Sequence, residues 1–143
     1  MFLMAASIPT FLRPNCDHMS ITRQASVDSI FDGDTFRATV ENWQPVIGER
    51  MPVRIASIDT PELRSRCDTE VEREREKALA RKAKQFAVAA LRGAERIELR
   101  QIERGSFFRL VAEVYVDGES LGDKLLEAGL AMPYEEGGSW CGR

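Results

Sequence analysis

The chain has 143 residues, of which 43% are hydrophobic and 30% charged, and a formal net charge of −3. That length suits one domain with a core of its own, and the composition excludes a disordered chain. The acidic balance argues against a generally basic nucleic-acid coat, and no apolar run approaches the ~18 residues that a membrane-spanning helix needs.

Residues 1–24, MFLMAASIPTFLRPNCDHMSITRQ, begin apolar and turn polar. They lack the positively charged start of a secretory signal, and Pro9 interrupts the apolar run. An N-terminal tail, or the remnant of a targeting or fusion segment, is expected there, with one domain over 25–143. SVDSIF and TFRATV are β-branched and aromatic runs around Asp32-Gly33-Asp34, which predicts two strands and a tight turn. NWQPVIGE, with its Pro and Gly, is expected as a loop. RMPVRIASI, residues 50–58, reads as a third strand.

A helix comes next. Thr69-Glu70-Val71-Glu72 fits a capping box. Leu79, Ala83, Phe86, Ala87, Ala90 and Leu91 recur at helical spacing and predict its apolar face, and Gly93 ends it. RIELRQI and RLVAEVYV are strands four and five, the latter with Leu110, Ala112, Val114 and Val116 on one side. Asp117-Gly118 turns the chain. Ser120 caps a short second helix, with Asp123 in its first turn and Gly129 beyond it. Three strands, a helix, two strands and a helix predict an α+β fold that is mainly β. The expected architecture is a five-stranded OB barrel with a helix between strands 3 and 4 and a short C-terminal helix. Fold alone does not give function.

The candidate chemistry lies in VRIASIDTPE, residues 53–62. Arg54 alternates onto the polar side of the third strand, and Asp59 and Glu62 stand at its end. On its own this stretch also reads as a strand followed by a cap or turn, since Asp, Thr and Pro are common turn residues. Asp34, too, reads alone as a turn residue, and Arg109, at the start of strand five, as a strand-edge ion pair. The only histidine is His18, so no His or Cys cluster offers a transition-metal site; aspartates and backbone carbonyls suit a hard cation instead. Between Arg54 and Arg109, Lys and Arg outnumber Asp and Glu by 14 to 10, whereas over the whole chain they are outnumbered 20 to 23. A mildly basic middle can receive an anionic substrate, although EVEREREKALARKAK also reads as a solvated, salt-bridged helix surface.

Taken in order, DGDT, VRIASIDTPE, FFRLVAEVY and DGESLGDKLLEAGLA resemble the staphylococcal (micrococcal) nuclease, or thermonuclease, family over roughly Ser26 to Tyr134. The resemblance implies a Ca²⁺-dependent phosphodiesterase that hydrolyses DNA and/or RNA with little sequence specificity and leaves 3′-phosphate ends. It implies that Asp34 and Asp59, with the backbone carbonyl of Thr60, bind Ca²⁺. Glu62 would contact the attacking water, and Arg54 and Arg109 the scissile phosphate. The rival expectation is a non-catalytic OB module that binds nucleic acid or protein; such a domain has no need of the complete acid and arginine set. The expected partner is nucleic acid, met by a monomer and without a membrane.

The chain departs from the family pattern in three places. Phe107 and Phe108 replace the usual Tyr-Gly before the arginine, and Phe108 enters glycine's positive-φ region only at a cost. The segment after EAGLAMPY leaves room for a tail where well-known members have a third helix. The acidic balance weakens nonspecific affinity for long DNA. Tyr115 and Tyr134 remain as base or phosphate contacts, with Tyr115 better placed in core or sheet. The three cysteines, Cys16, Cys67 and Cys141, fit no closed disulfide framework and read as free thiols of a reducing compartment. Resemblance to other nuclease-like sequences suggests instead a Cys67–Cys141 bond that anchors the tail. That bond would carry with it an oxidising compartment, the periplasm or outside the cell.

Overall fold

A computed structural model describes residues 21–143, so the first twenty residues of the expected tail, with Cys16 and His18, lie outside it. The Asp-Gly-Asp turn joins β1 (Arg23–Ile30) to β2 (Thr35–Val40). It is closed by the amides of Phe31 and Asp32, which both donate to the Thr35 carbonyl, at 3.0 and 3.2 Å. The two strands are antiparallel, with an irregular register between Val27 and Ser29 that bends β1.

The expected loop after β2 contains one helical turn, α1 (Pro45–Gly48), which starts at proline, where a missing N–H costs nothing. β3 (Met51–Ile55) pairs with β2. The run expected as one strand to residue 58 is broken. Ser57 takes φ 67°, and Ile58–Asp59 forms a separate two-residue strand, β4. The helix α2 (Glu70–Gly93) begins at the predicted capping box: Thr69 Oγ accepts from the Glu72 amide, and Glu72 reaches back to the Thr69 amide.

β5 (Ile97–Arg104) and β6 (Leu110–Val116) complete the sheet. β1 pairs with β5 and β5 with β6, all antiparallel. β3 then pairs in parallel with β6, Val53 opposite Leu110 and Ile55 opposite Ala112. That pairing closes β1, β2, β3, β6 and β5 into a five-stranded barrel of OB type, mainly β, as expected. β7 (Glu119–Ser120) turns back and pairs antiparallel with the end of β6, and α3 (Leu121–Glu127) follows with Ser120 capping the Asp123 amide. β8 (Met132–Pro133) pairs with β4.

Alternation fills the barrel. Leu110, Ala112, Val114 and Val116 of β6 are buried, as are Phe36, Ala38 and Val40 of β2 and Val53 and Ile55 of β3. Each large side chain buried here stabilises the fold by about 1.5–3 kcal/mol. On α2 the buried line is Glu76, Ala80, Ala83, Ala87 and Leu91. Of the predicted face, Ala83, Ala87 and Leu91 are buried as expected, while Leu79, Phe86 and Ala90 are only half-buried, because small alanines let the helix approach the barrel closely. Among the described residues no helix is long and apolar enough to cross a membrane.

The C-terminal residues are tied down. A 3₁₀ turn at Tyr134–Glu136 leads to Trp140, which is buried, and Cys141 is bonded to Cys67 across 5.5 Å between their Cα atoms. Among the described residues no further α-helix follows α3, and the bond and Trp140 hold the segment in its place.

Candidate functional site

The site is assembled where three chain segments meet beside the barrel. The first is the Asp-Gly-Asp turn. Its glycine is there for close approach: a Cβ on Gly33 would lie 2.9 Å from Ala83 Cβ of α2 and 3.1 Å from Thr60 Cγ2. The helix thus sets the height of the turn. Asp34 is buried at 4% exposure. Its Oδ1 accepts from the Thr35 hydroxyl at 2.9 Å, its Oδ2 from the Thr60 amide at 3.3 Å, and its carbonyl from the Ile55 amide at 2.9 Å.

The second segment is β3 and the turn after it. Arg54 points out of the barrel, half-buried, with one guanidinium nitrogen 3.4 Å from Asp59 Oδ1 and 3.7 Å from Asp34 Oδ2. Thr60 and Pro61 are buried, so they fix the base from which Glu62 projects into solvent. The break at Ser57 matters to this arrangement. A continuous strand would carry Asp59 away along β3, whereas the pairing of β4 with β8 returns it to Arg54.

The third segment is the loop before β6. Arg109 is the residue ahead of the strand, held by its carbonyl accepting from the Gly105 amide at 2.9 Å. Gly105 also makes room for it: a Cβ there would lie 2.7 Å from Val111 Cγ2 and 3.3 Å from Arg109 Cγ. Arg109 Nε is buried and has no hydrogen-bond partner among the described residues. An unsatisfied charged donor is costly to bury, so this group is poised for an acceptor.

All six candidate residues, Asp34, Arg54, Asp59, Thr60, Glu62 and Arg109, line one cavity of about 740 Å³. Sequence reasoning passed over others on the same wall. Asp32 lies there, and so do Arg64 and Arg66, which no local signal marked. Burial, then the charge of Asp34 and a hydrogen bond to it, push Asp32 up to about 7. Two carboxyl groups so close together cannot easily both ionise.

Two of the questioned aromatic positions are settled in place. Tyr115 is half-buried in the sheet with the Arg100 guanidinium 3.7 Å from its ring centre, and Tyr134 is exposed with Arg54 5.7 Å from its ring. Phe107 and Phe108 hold φ 58° and 59°, so phenylalanine adopts the left-handed backbone that glycine takes freely.

A closed OB barrel with a cavity of acids and arginines at its flank defines a nuclease-like or nucleic-acid-binding OB domain. The chain belongs to the staphylococcal nuclease family: a family model described as staphylococcal nuclease homologue matches residues 52–140. No curated protein matches the chain.

Proposed function

We propose that the protein is a Ca²⁺-dependent phosphodiesterase that hydrolyses DNA and/or RNA with little sequence specificity and leaves 3′-phosphate ends. The observation that carries this reading is the convergence of Asp34, Asp59, Thr60, Arg54, Glu62 and Arg109 on one cavity. A binding module needs basic groups there, but it has no use for a carboxylate buried to 4% beside an arginine and a second aspartate.

The donor set fits a hard cation. Oxygens of Asp34 and Asp59 and the carbonyl of Thr60 are the ligands that Ca²⁺ takes, and it completes its shell with water or substrate oxygen. Among the described residues no three His, Cys, Asp or Glu side chains gather as a metal-holding group, so the cation would rest on two carboxylates, a carbonyl and outside oxygens. When bound, the cation supplies Lewis-acid polarisation of a phosphoryl oxygen.

The chain's own residues do the rest. Arg54 lies against the two aspartates and orients them, and its remaining donors face the cavity. Arg109 brings an Nε with no partner among the described residues, and a guanidinium fork binds two phosphate oxygens at once where lysine offers a point charge. Charge that develops as the phosphorus becomes five-coordinate meets these preorganised donors. Glu62, on its buried Thr60-Pro61 base, orients the water and accepts its proton.

The test is cleavage of labelled single-stranded DNA and RNA in chelator, then with Ca²⁺ or Mg²⁺ restored. Activity should vanish in chelator, return with Ca²⁺ and return poorly with Mg²⁺, which demands a tighter octahedron. Full activity in chelator removes the metal assignment, and no cleavage with Ca²⁺ favours the binding-module reading.

A further inference from the structure

Phe107 is 93% exposed and Phe108 63% exposed. Both also hold positive φ, 58° and 59°, a region that is an outlier for bulky residues and costs about 1–3 kcal/mol for each. Neither ring recovers the ~1.5–3 kcal/mol that burying it would give. In the isolated chain, glycine or a polar residue would serve this loop better at both positions. Val71, by contrast, stands singly on α2 and needs no explanation, and Val46 and Ile47 sit together on α1 without positive φ.

The place of the two rings decides what they suit. They sit on the tight loop that the Gly105 amide and Arg109 carbonyl close, one and two residues before the arginine that lines the cavity. Successive Cα atoms are about 3.8 Å apart, so both rings start within a nucleotide's reach of a phosphate at Arg109. The Arg104 guanidinium lies 4.8 Å from the Phe108 ring centre. Phenylalanine offers a flat apolar face and no hydrogen bond. The complementary ligand is therefore flat, apolar on its faces and attached to an anion. An unpaired nucleobase fits, whereas in a duplex each base face is already stacked on its neighbours.

We propose that Phe107 and Phe108, with Arg104 beside them, are a stacking platform for unpaired bases next to the phosphate held at Arg109. This rests on the nucleic-acid reading above.

The test is a fluorescence titration in chelator, where no cleavage is expected. The probe is a short oligothymidylate carrying one 2-aminopurine, compared with a hairpin that pairs the same base. The wild type should quench the single strand more than the hairpin. Phe107→Ala and Phe108→Ala should each weaken single-strand binding about fivefold to a hundredfold, the range lost with one base–aromatic stack. Phe108→Tyr should restore it. Phe108→Gly relieves the backbone while removing the ring, so it should fold at least as well as the wild type and still lose binding.

Equal affinities for wild type and alanine variants, or equal quenching of strand and hairpin, overturn the proposal. So does a loss confined to binding of phosphatidylglycerol vesicles, which would make the rings a lipid contact. If the oligomer stacks but Ca²⁺ brings no cleavage, the platform stands and the phosphodiesterase reading falls. If the alanine variants cut single strands and duplex as the wild type does, the platform falls and that reading stands.

Discussion

Replacing Cys67 and Cys141 together by alanine removes a crosslink between residues 74 apart in sequence. In the chain-entropy treatment a loop of that length restricts the unfolded ensemble by about 4.4 kcal/mol at 25 °C. The folded state should lose little besides. The hydrogen bonds at the two positions use backbone groups: the Cys67 amide donates to Ser65, its carbonyl accepts from Arg73, and the Cys141 amide donates to Ser139. All of them survive the substitution. A chain of this length unfolds with about 0.3 kcal/mol/K of entropy, so the variant should melt about 15 °C lower. Reversible calorimetry at one pH separates two ways in which the bond could act. Compared at one temperature, a constraint on the unfolded chain raises the unfolding entropy of the variant and leaves the enthalpy nearly unchanged. A strap acting in the folded state lowers the enthalpy and exposes Trp140, which its fluorescence would show. A fall in Tm below about 3 °C with unchanged entropy refutes the crosslink reasoning.

Asp32→Asn tests the crowded carboxyls. Because the folded-state pKa of Asp32 is raised, to about 7, its stabilising contribution is full below the unfolded value and is lost as pH rises through about 7. In chelator the variant should therefore gain on the wild type between pH 4 and 7 and then level off, by about 1–2 kcal/mol after allowance for solvent screening; a pH-independent difference in urea unfolding would sink the idea. Arg109→Ala should lower turnover about 100- to 1000-fold, with turnover and turnover over KM falling together and Arg109→Lys also poor; wild-type turnover would remove Arg109 from the reaction. Glu62→Gln, at an exposed side chain, should keep stability within about 0.5 kcal/mol while turnover drops about 100-fold or more; unchanged turnover removes the water-handling role. Gly33→Ala should cost about 1–3 kcal/mol in thermal unfolding, because its methyl meets Ala83 at 2.9 Å and must push the turn off α2; a stabilised variant would show that the turn is free to move.

The barrel was legible because its signals are local. The turn at Asp32-Gly33-Asp34, the capping box at Thr69 and the alternation of β6 each act within a few residues. What escaped depends on distant partners. The break of the third strand at Ser57 exists because Ile58–Asp59 finds β8, far along the chain. The buried line of α2 takes in Glu76 and Ala80, which the spacing did not mark, and leaves Leu79 half-buried, because contact distance, not hydrophobicity, selects the residues that touch the barrel. At the site, motif order drew attention to residues that the fold does bring to one cavity. Arg64 and Arg66 escaped because nothing local distinguishes a cavity-facing arginine from a solvated one. The left-handed backbone at Phe107 and Phe108 ran against local preference, and local rules break most often where a structure serves something other than its own stability.

The parallel pairing of β3 with β6 has a kinetic consequence. Every other barrel pairing is antiparallel, and this one, like that of β1 with β5, spans the whole of α2. Its loop-closure entropy must be lost before any contact rewards it, and such non-local pairings fold slowly. Arg54 stands on β3 opposite Val111, two residues past Arg109, so the two arginines come together in the same event that closes the barrel. A refolding chain can therefore form α2 early and bury part of its apolar surface while its two arginines remain unassembled. Recovered activity would follow the slowest phase of refolding, whereas helical circular dichroism would run ahead of it.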